Sequence, residues 1–363
     1  MILRWRSKLS ASAALTLFLF SAATGKSQGV FEQIGQEVNT IFEKARPAIV
    51  KVRALNDGIQ VTGTGFFIDN RGTLLTASLI LGRSNTASDG NRVEVEYNGQ
   101  KLEARIIGND VRSGVALLQV PLTATPYLVL AEVPDPKIGS SVVSIGYPFD
   151  LPVAPTFGMV SGLDSRYQNR FFATTHIRAN IPISPGQVGG PLLNTKGQVL
   201  GVLVTAVEEG KACYVLPSAA VLKVTDEIRQ VGVPRHGWIG VEVTETSSSA
   251  SDGHNIKILQ LKPNTPAAQS GLLPGDVVLK IGQRNIYRPA DVIDASFFSR
   301  VGQELDVTVQ RDGKPQTFKF IVGERPSTAP VVAPAGKQPS AMPQGIPAMP
   351  NPNDPQTLKV KGS

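Results

Sequence analysis

The sequence predicts a mainly β protein in which an all-β barrel or sandwich domain is followed by a smaller α+β module. Two observations carry this prediction. Short apolar segments separated by Gly, Asn, Asp and Pro fill the chain from Ala48 to about Val224 with little helix between them. After Gly232-Val233-Pro234 the pattern changes to strands mixed with short helices.

Residues 1–25 have the features of a secretory signal peptide. Arg4, Arg6 and Lys8 precede a short apolar run, Leu15–Phe20, that ends in small residues. The run is too short to span a bilayer comfortably, although retention as an N-terminal anchor is the alternative. We therefore expect an exported protein of the periplasm or cell envelope. No integral membrane span is expected after cleavage.

Composition narrows the function classes. The chain has 363 residues, 41% hydrophobic, and a net charge of +7, three units of which belong to the leader. An excess of positive charge this small does not indicate nucleic-acid binding. Cys213 is the only cysteine, which excludes an intrachain disulfide, and the three histidines lack metal-ligand spacing. No metal and no cofactor are expected.

The elements follow in order. Residues 26–46 carry apolar side chains at helical spacing, and this helix should end before Pro47. Residues 47–232 form the β domain, in which Asn98-Gly99 predicts a tight hairpin. Residues 237–325 form the second module, with a strand at Trp238–Val243, helices at Pro266–Ser270 and Ala290–Ser299, and a final hairpin. Residues 326–363 hold nine of the 27 prolines and are expected to be a disordered tail.

Several stretches in this order resemble the HtrA/Deg family of exported trypsin-like serine proteases with a PDZ domain. They are Gly63-Thr64-Gly65-Phe66-Phe67-Ile68-Asp69, Ile145-Gly146-Tyr147-Pro148-Phe149, Gly186-Gln187-Val188-Gly189-Gly190-Pro191 and, in the second module, Asn264-Thr265-Pro266-Ala267-Ala268 with Gly271-Leu272-Leu273-Pro274-Gly275-Asp276. The resemblance implies a trypsin-like double β-barrel followed by an α+β PDZ domain. It also implies trimers, to which Phe31 and Phe42 could contribute.

The resemblance assigns the positions of the catalytic triad to three residues without triad chemistry. The base position falls on Leu79, the carboxylate position on Gly114 and the nucleophile position on Val188. None of these side chains can attack a carbonyl, accept its proton or orient an imidazole. From these residues we therefore expect a pseudo-protease, which has the fold of a protease but no enzyme activity. The frame of the oxyanion turn, Gly186, Val188, Gly189 and Gly190, is retained.

The PDZ resemblance places a peptide-binding site at Trp238, Ile239, Gly240 and Val241. In such domains backbone amides of this loop receive a peptide C-terminal carboxylate while the peptide adds as a strand. The alternative is that these residues form a strand that simply packs. Gly240 would allow the close approach of the backbone.

Three functions remain in competition. The leading expectation is an inactive HtrA-like scaffold or regulator that binds peptides, unfolded proteins or protein C-termini through its PDZ domain. The second is a serine-type endopeptidase with an unorthodox or residual active site, for which Ser184 is a candidate. The third is a non-catalytic subunit that co-assembles with an active HtrA relative. A homo- or hetero-oligomer is expected in each case.

Overall fold

The computed structural model describes residues 29–56, 59–82, 92–130, 136–168, 170–246 and 255–326. The predicted signal peptide and tail therefore lie outside the described residues, apart from the boundary residue Pro326. The chain enters through helix α1 (Val30–Ala45), whose Ile41 and Ala45 are buried. None of the described helices is long and apolar enough to cross a membrane.

Seven antiparallel strands form the first sheet of the β domain, in the order β5-β4-β1-β2-β3-β7-β6. The register of β4 and β5 pairs Tyr97 with Gln100 around Asn98 and Gly99, so the predicted hairpin is confirmed. A single helical turn, α2, follows β3. The elements are β1 (Ile49–Asn56), β2 (Ile59–Phe67), β3 (Thr73–Ala77), α2 (Ser78–Leu81), β4 (Val93–Tyr97), β5 (Gln100–Glu103), β6 (Arg105–Asp110) and β7 (Val115–Gln119).

Six further strands close into a barrel in the order β10-β13-β12-β11-β8-β9. The strands are β8 (Ser141–Gly146), β9 (Ala154–Tyr167), β10 (Arg170–Asn180), β11 (Pro191–Asn194), β12 (Val199–Val207) and β13 (Ala212–Pro217). Cys213 is buried in β13, and burial raises the pKa of its thiol to about 12, as suits a small core residue.

The second module has an antiparallel sheet in the order β15-β16-β17-β19-β20 with β18 beside β17, and a separate pair of β14 with β21. Thr265 caps α4, and its hydroxyl accepts a bond from the Ala268 amide as its position predicts. The elements are β14 (Gly237–Trp238), β15 (Val241–Glu245), β16 (Ile256–Leu261), α4 (Pro266–Gln269), β17 (Val277–Ile281), β18 (Arg284–Asn285), α5 (Pro289–Phe298), β19 (Glu304–Arg311), β20 (Lys314–Ile321) and β21 (Gly323–Glu324).

Two sequence-based expectations about elements are wrong. The β domain ends in a 14-residue helix, α3 (Ser218–Val231), although little helix was expected there. Its signal was in the sequence, because Val221, Val224 and Ile228 recur at helical spacing and are buried. The predicted strand Trp238–Val243 is interrupted at Ile239 and Gly240, where Gly240 has a φ of +87° that breaks the extended backbone.

One hydrophobic cluster joins the parts of the molecule. It contains side chains from α1, the first sheet, the closed barrel and α3, and it includes Phe297 of α5. The second module has its own core, in which Ile239, Val292 and Ala295 are buried. The shared cluster fixes the second module against the β domain through helix α5.

Candidate functional site

The structure brings together the segments that carry Leu79, Gly114 and Val188. The Ser78 amide donates to the Gly114 carbonyl over 2.8 Å, which places the start of α2 beside the turn between β6 and β7. A Cβ at Gly189 would lie 2.8 Å from the Ala77 nitrogen. The turn of residues 186–190, called the glycine turn below, therefore lies against the end of β3. The triad positions given by the resemblance therefore converge in one region between the first sheet and the closed barrel.

The three side chains differ in their surroundings. Leu79 is 57% exposed. Val188 is partly buried and packs against both the core of the first sheet and the core of the closed barrel. Gly114 has a φ of +87°, and a Cβ there would lie 3.0 Å from the Val204 Cβ, so this position accepts glycine best.

The glycine turn presents two backbone amides. The carbonyls of Gly186 and Val188 accept bonds of 2.7 and 2.8 Å from the Thr64 hydroxyl and amide, respectively. Their own amides have no acceptor among the described residues. Gly186 and Gly189 have φ of +95° and +92°. Backbone amides in such a turn can receive a carbonyl oxygen or an anion.

A loop from the closed barrel supports this turn. Phe149 and Asp150 have positive φ, and the Phe149 amide donates to the Pro185 carbonyl over 2.7 Å. The Lys51 ammonium of β1 lies 2.7 Å from a carboxylate oxygen of Asp150, and the Arg53 guanidinium lies 3.0 Å from the same oxygen. The ion pairs therefore hold the loop, and through it the turn, against the first sheet.

Ser184, the alternative nucleophile, precedes the turn and is half-buried. Its amide donates to the Gln187 side chain over 2.7 Å. His176 and His236, the two histidines in the described ranges, have other partners: His176 Nδ1 lies 2.8 Å from the Thr174 carbonyl, and His236 Nε2 lies 3.0 Å from Asp110. The residues described include no metal-binding group of His, Cys, Asp and Glu.

Of the four predicted peptide-binding residues, Trp238 ends β14, Val241 begins β15, and Ile239 and Gly240 form the connection between the two strands. Ile239 and Gly240 are buried, and their amides have no acceptor among the residues that the structure describes. The Ile239 carbonyl accepts from Ala267, and the Gly240 carbonyl accepts from Lys262. Strand β15 is the edge of its sheet, and α5 lies beside it. Two free amides next to a sheet edge are suited to a carboxylate and an added strand.

Sequence reasoning missed the contact between the second module and the barrel. Asp294 of α5 accepts three bonds from β10: 2.6 Å from the Thr174 hydroxyl, 2.7 Å from the Thr175 amide and 2.9 Å from the Thr175 hydroxyl. The sequence of α5 does not predict this contact, because an acidic residue in a short helix is ordinarily exposed to solvent.

Comparison with known protein families agrees with this architecture. Residues 63–202 match the trypsin-like peptidase domain family, and residues 237–322 match the PDZ domain family. The chain therefore has a trypsin-like protease domain followed by a PDZ domain. Solved structures of HtrA-type proteases have a similar fold.

Among curated relatives, a probable periplasmic serine endoprotease DegP-like of Pseudomonas fulva is 28% identical over 74% of this chain and 57% of its own length. A putative serine protease HhoB of Synechocystis is 27% identical over 74% of this chain and 67% of its own. The structure of the HtrA-type protease AlgW with a tripeptide has a TM-score of 0.68 and 25% identity, and covers 80% of this chain and 97% of that one. The chain thus spans little more than half the length of the first of these relatives.

These relatives correct one expectation. The triad positions led us to expect no enzyme activity, but the similar proteins are named serine endoproteases and the similar structures are HtrA-type proteases. The comparisons therefore point to an enzyme. The error came from treating three positions, placed by a resemblance, as sufficient to decide activity.

Proposed function

We propose that this protein is an exported HtrA-type protein that recognises the free C-termini of peptides or unfolded proteins through its PDZ domain. The observation that carries the proposal is the pair of unpaired amides at Ile239 and Gly240 beside the open edge of β15. Relatives named periplasmic support an exported location. A structure of a related protease that contains a tripeptide supports peptide recognition.

The geometry explains how a peptide would be held. Its terminal carboxylate would accept from the amides of Ile239 and Gly240, and its backbone would pair with β15 as an additional strand. Val241 and Val243 of β15 pack against the PDZ core. Hydrogen bonds to a charged carboxylate contribute about 1.5–3 kcal/mol each, against about 1 for a neutral acceptor, so the terminal charge should dominate recognition.

Calorimetry with one peptide in two forms tests the proposal. A peptide with a free, apolar C-terminus should bind about tenfold more tightly than its C-terminal amide, because amidation removes the charge. Equal affinities would refute the carboxylate site. Gly240→Ala should remove the difference, since its Cβ would lie 2.3 Å from the Thr265 side chain and displace the loop.

Gly275→Ala is the matched control. Gly275 lies in the same domain and has a φ of +95°, but a Cβ there would meet nothing within 4 Å. Both variants therefore carry the same kind of backbone strain. Only the Gly240 variant should lose discrimination between acid and amide.

Peptide hydrolysis is the second candidate, and the names of the relatives favour it. The amides of Gly186 and Val188 could stabilise an oxyanion, and Ser184 is the candidate hydroxyl. A serine-directed phosphonate should then label the protein, as read by intact mass, and Ser184→Ala should remove the label. Labelling that survives in Ser184→Ala would assign the chemistry to another hydroxyl. The absence of both labelling and cleavage of an unfolded substrate would exclude this candidate.

A further inference from the structure

A buried polar cluster lies where the linker to the PDZ domain passes the first sheet. Asp110, at the end of β6, accepts from the Arg112 amide over 3.1 Å and lies 3.0 Å from His236 Nε2 of the linker. The His236 carbonyl accepts from the Arg325 amide, just after β21, over 2.9 Å. Arg112 and Arg325 therefore flank the pair of Asp110 and His236 from the two domains.

The two arginine side chains have no partner in this cluster. Neither forms an ion pair or a side-chain hydrogen bond with the described residues, and the Nε of each is buried without an acceptor. Asp110 forms its ion pair with His236 and none with either guanidinium within the described residues. Buried hydrogen-bond donors without an acceptor are costly, which makes two of them in one place a sign of a missing ligand.

The charges of nearby groups affect both arginines and a neighbouring lysine. Burial, together with the charge of Arg325, lowers the pKa of Arg112 to about 10, and burial lowers the pKa of Arg325. Burial lowers the pKa of Lys223 in α3. The charges of Arg112 and Arg300 lower it further, and those of Glu227 and Asp110 raise it.

We propose that this junction binds a doubly charged oxyanion, of which inorganic phosphate is the simplest, between the guanidinium groups of Arg112 and Arg325. Planar guanidinium groups match the oxygens of phosphate, and charge-assisted bonds would satisfy both orphaned Nε donors. Because Arg112 lies in the turn that joins β6 to β7 and Arg325 follows β21 of the PDZ domain, the anion ties the two domains together.

Thermal unfolding of the full chain with inorganic phosphate tests the site. Phosphate should raise the unfolding temperature more than sodium chloride at equal ionic strength, and sulfate should act like phosphate. Arg112→Gln and Arg325→Gln should each weaken phosphate binding, measured by calorimetry, at least tenfold. Without phosphate, both variants should be about as stable as the parent, since each removes a buried Nε donor that has no acceptor.

Arg105→Gln is the matched control, because it removes the same charge from an exposed position on β6, the strand that precedes the turn of Arg112. It should leave phosphate binding unchanged. Arg112→Lys keeps the charge but loses the fork of donors, so it should also weaken binding and serves if the glutamine variant does not fold. Equal effects of phosphate and chloride on the parent, or an unchanged phosphate affinity in the Arg112 and Arg325 variants, would overturn the proposal.

Discussion

His176 shows how burial decides the charge of a single residue. The side chain is 2% exposed, and its ring stacks on Phe172 at a centroid distance of 4.5 Å. Burial lowers its pKa to about 4, even though the Thr174 carbonyl and Asp294 favour the charged form. The folded protein therefore keeps this histidine neutral, whereas the unfolded chain takes up a proton near pH 6.5. The contribution to stability is complete above that pH and declines as pH falls towards 4.

His176→Gln should flatten this part of the stability curve. Between pH 6.5 and 4 the free energy of unfolding of the parent should fall by roughly 3 kcal/mol because of His176, and that of the variant should not. The difference in stability between the two proteins should therefore narrow as the pH is lowered. Chemical unfolding across this range measures it. Between pH 7 and 9 the two curves should run parallel, which is the internal control. Parallel curves down to pH 4 would contradict the assignment.

At the scale of secondary-structure elements, α5 connects the proposed peptide-binding edge of the second module with the barrel. It lies beside β15 on one side and contacts β10 on the other, where Asp294 accepts three hydrogen bonds. Asp294→Asn should remove at least one of these bonds and cost about 1–3 kcal/mol of stability at the docking surface. Hydrogen exchange of amides in α5 and β10 should become faster.

Asp306→Asn is the control for this change. Asp306 lies on β19, where its side chain is half-exposed and 3.4 Å from Lys319. A surface pair of this kind contributes little, so exchange in α5 and β10 should stay as in the parent. Exchange rates that are unchanged in Asp294→Asn would show that the carboxylate does not anchor the helix.

The secondary-structure elements also show which features of the fold could be predicted from the sequence. The existence of α4 and α5, the hairpin at Asn98 and Gly99, and the cap at Thr265 were predictable because each depends on local backbone chemistry. The docking of Asp294 on β10 was not predictable, because it joins residues about 120 positions apart. The free amides of Ile239 and Gly240 lie between these cases: a resemblance located the loop, and only the fold shows that its donors lack acceptors.

At the scale of the whole molecule, ion pairs across the β domain hold the glycine turn, residues 186–190, against the first sheet. Asp150 of the barrel loop pairs with Lys51 and Arg53 of the first sheet, and Lys51 has only 8% of its side chain exposed. The hydrogen bond from Lys51, together with the charge of Arg53, lowers the pKa of Asp150. A lowered pKa of an acid means that its contribution is complete above the unfolded value, near pH 4, and disappears as pH falls below it.

Asp150→Asn should therefore destabilise the protein by about 1 kcal/mol at neutral pH, a modest figure because the carboxylate is half-exposed and screened. The difference from the parent should shrink as pH falls below 4, because Asp150 then takes up a proton first in the unfolded and then in the folded state. The loop carries Phe149, whose amide bonds to Pro185 just before Gly186, so hydrogen exchange at Phe149 should also quicken. Glu304→Gln, which breaks an exposed pair with Lys319, should change neither quantity. If Asp150→Asn lowered stability equally at pH 3 and pH 7, the loss would come from altered packing of the loop, and the turn would be held by backbone hydrogen bonds alone.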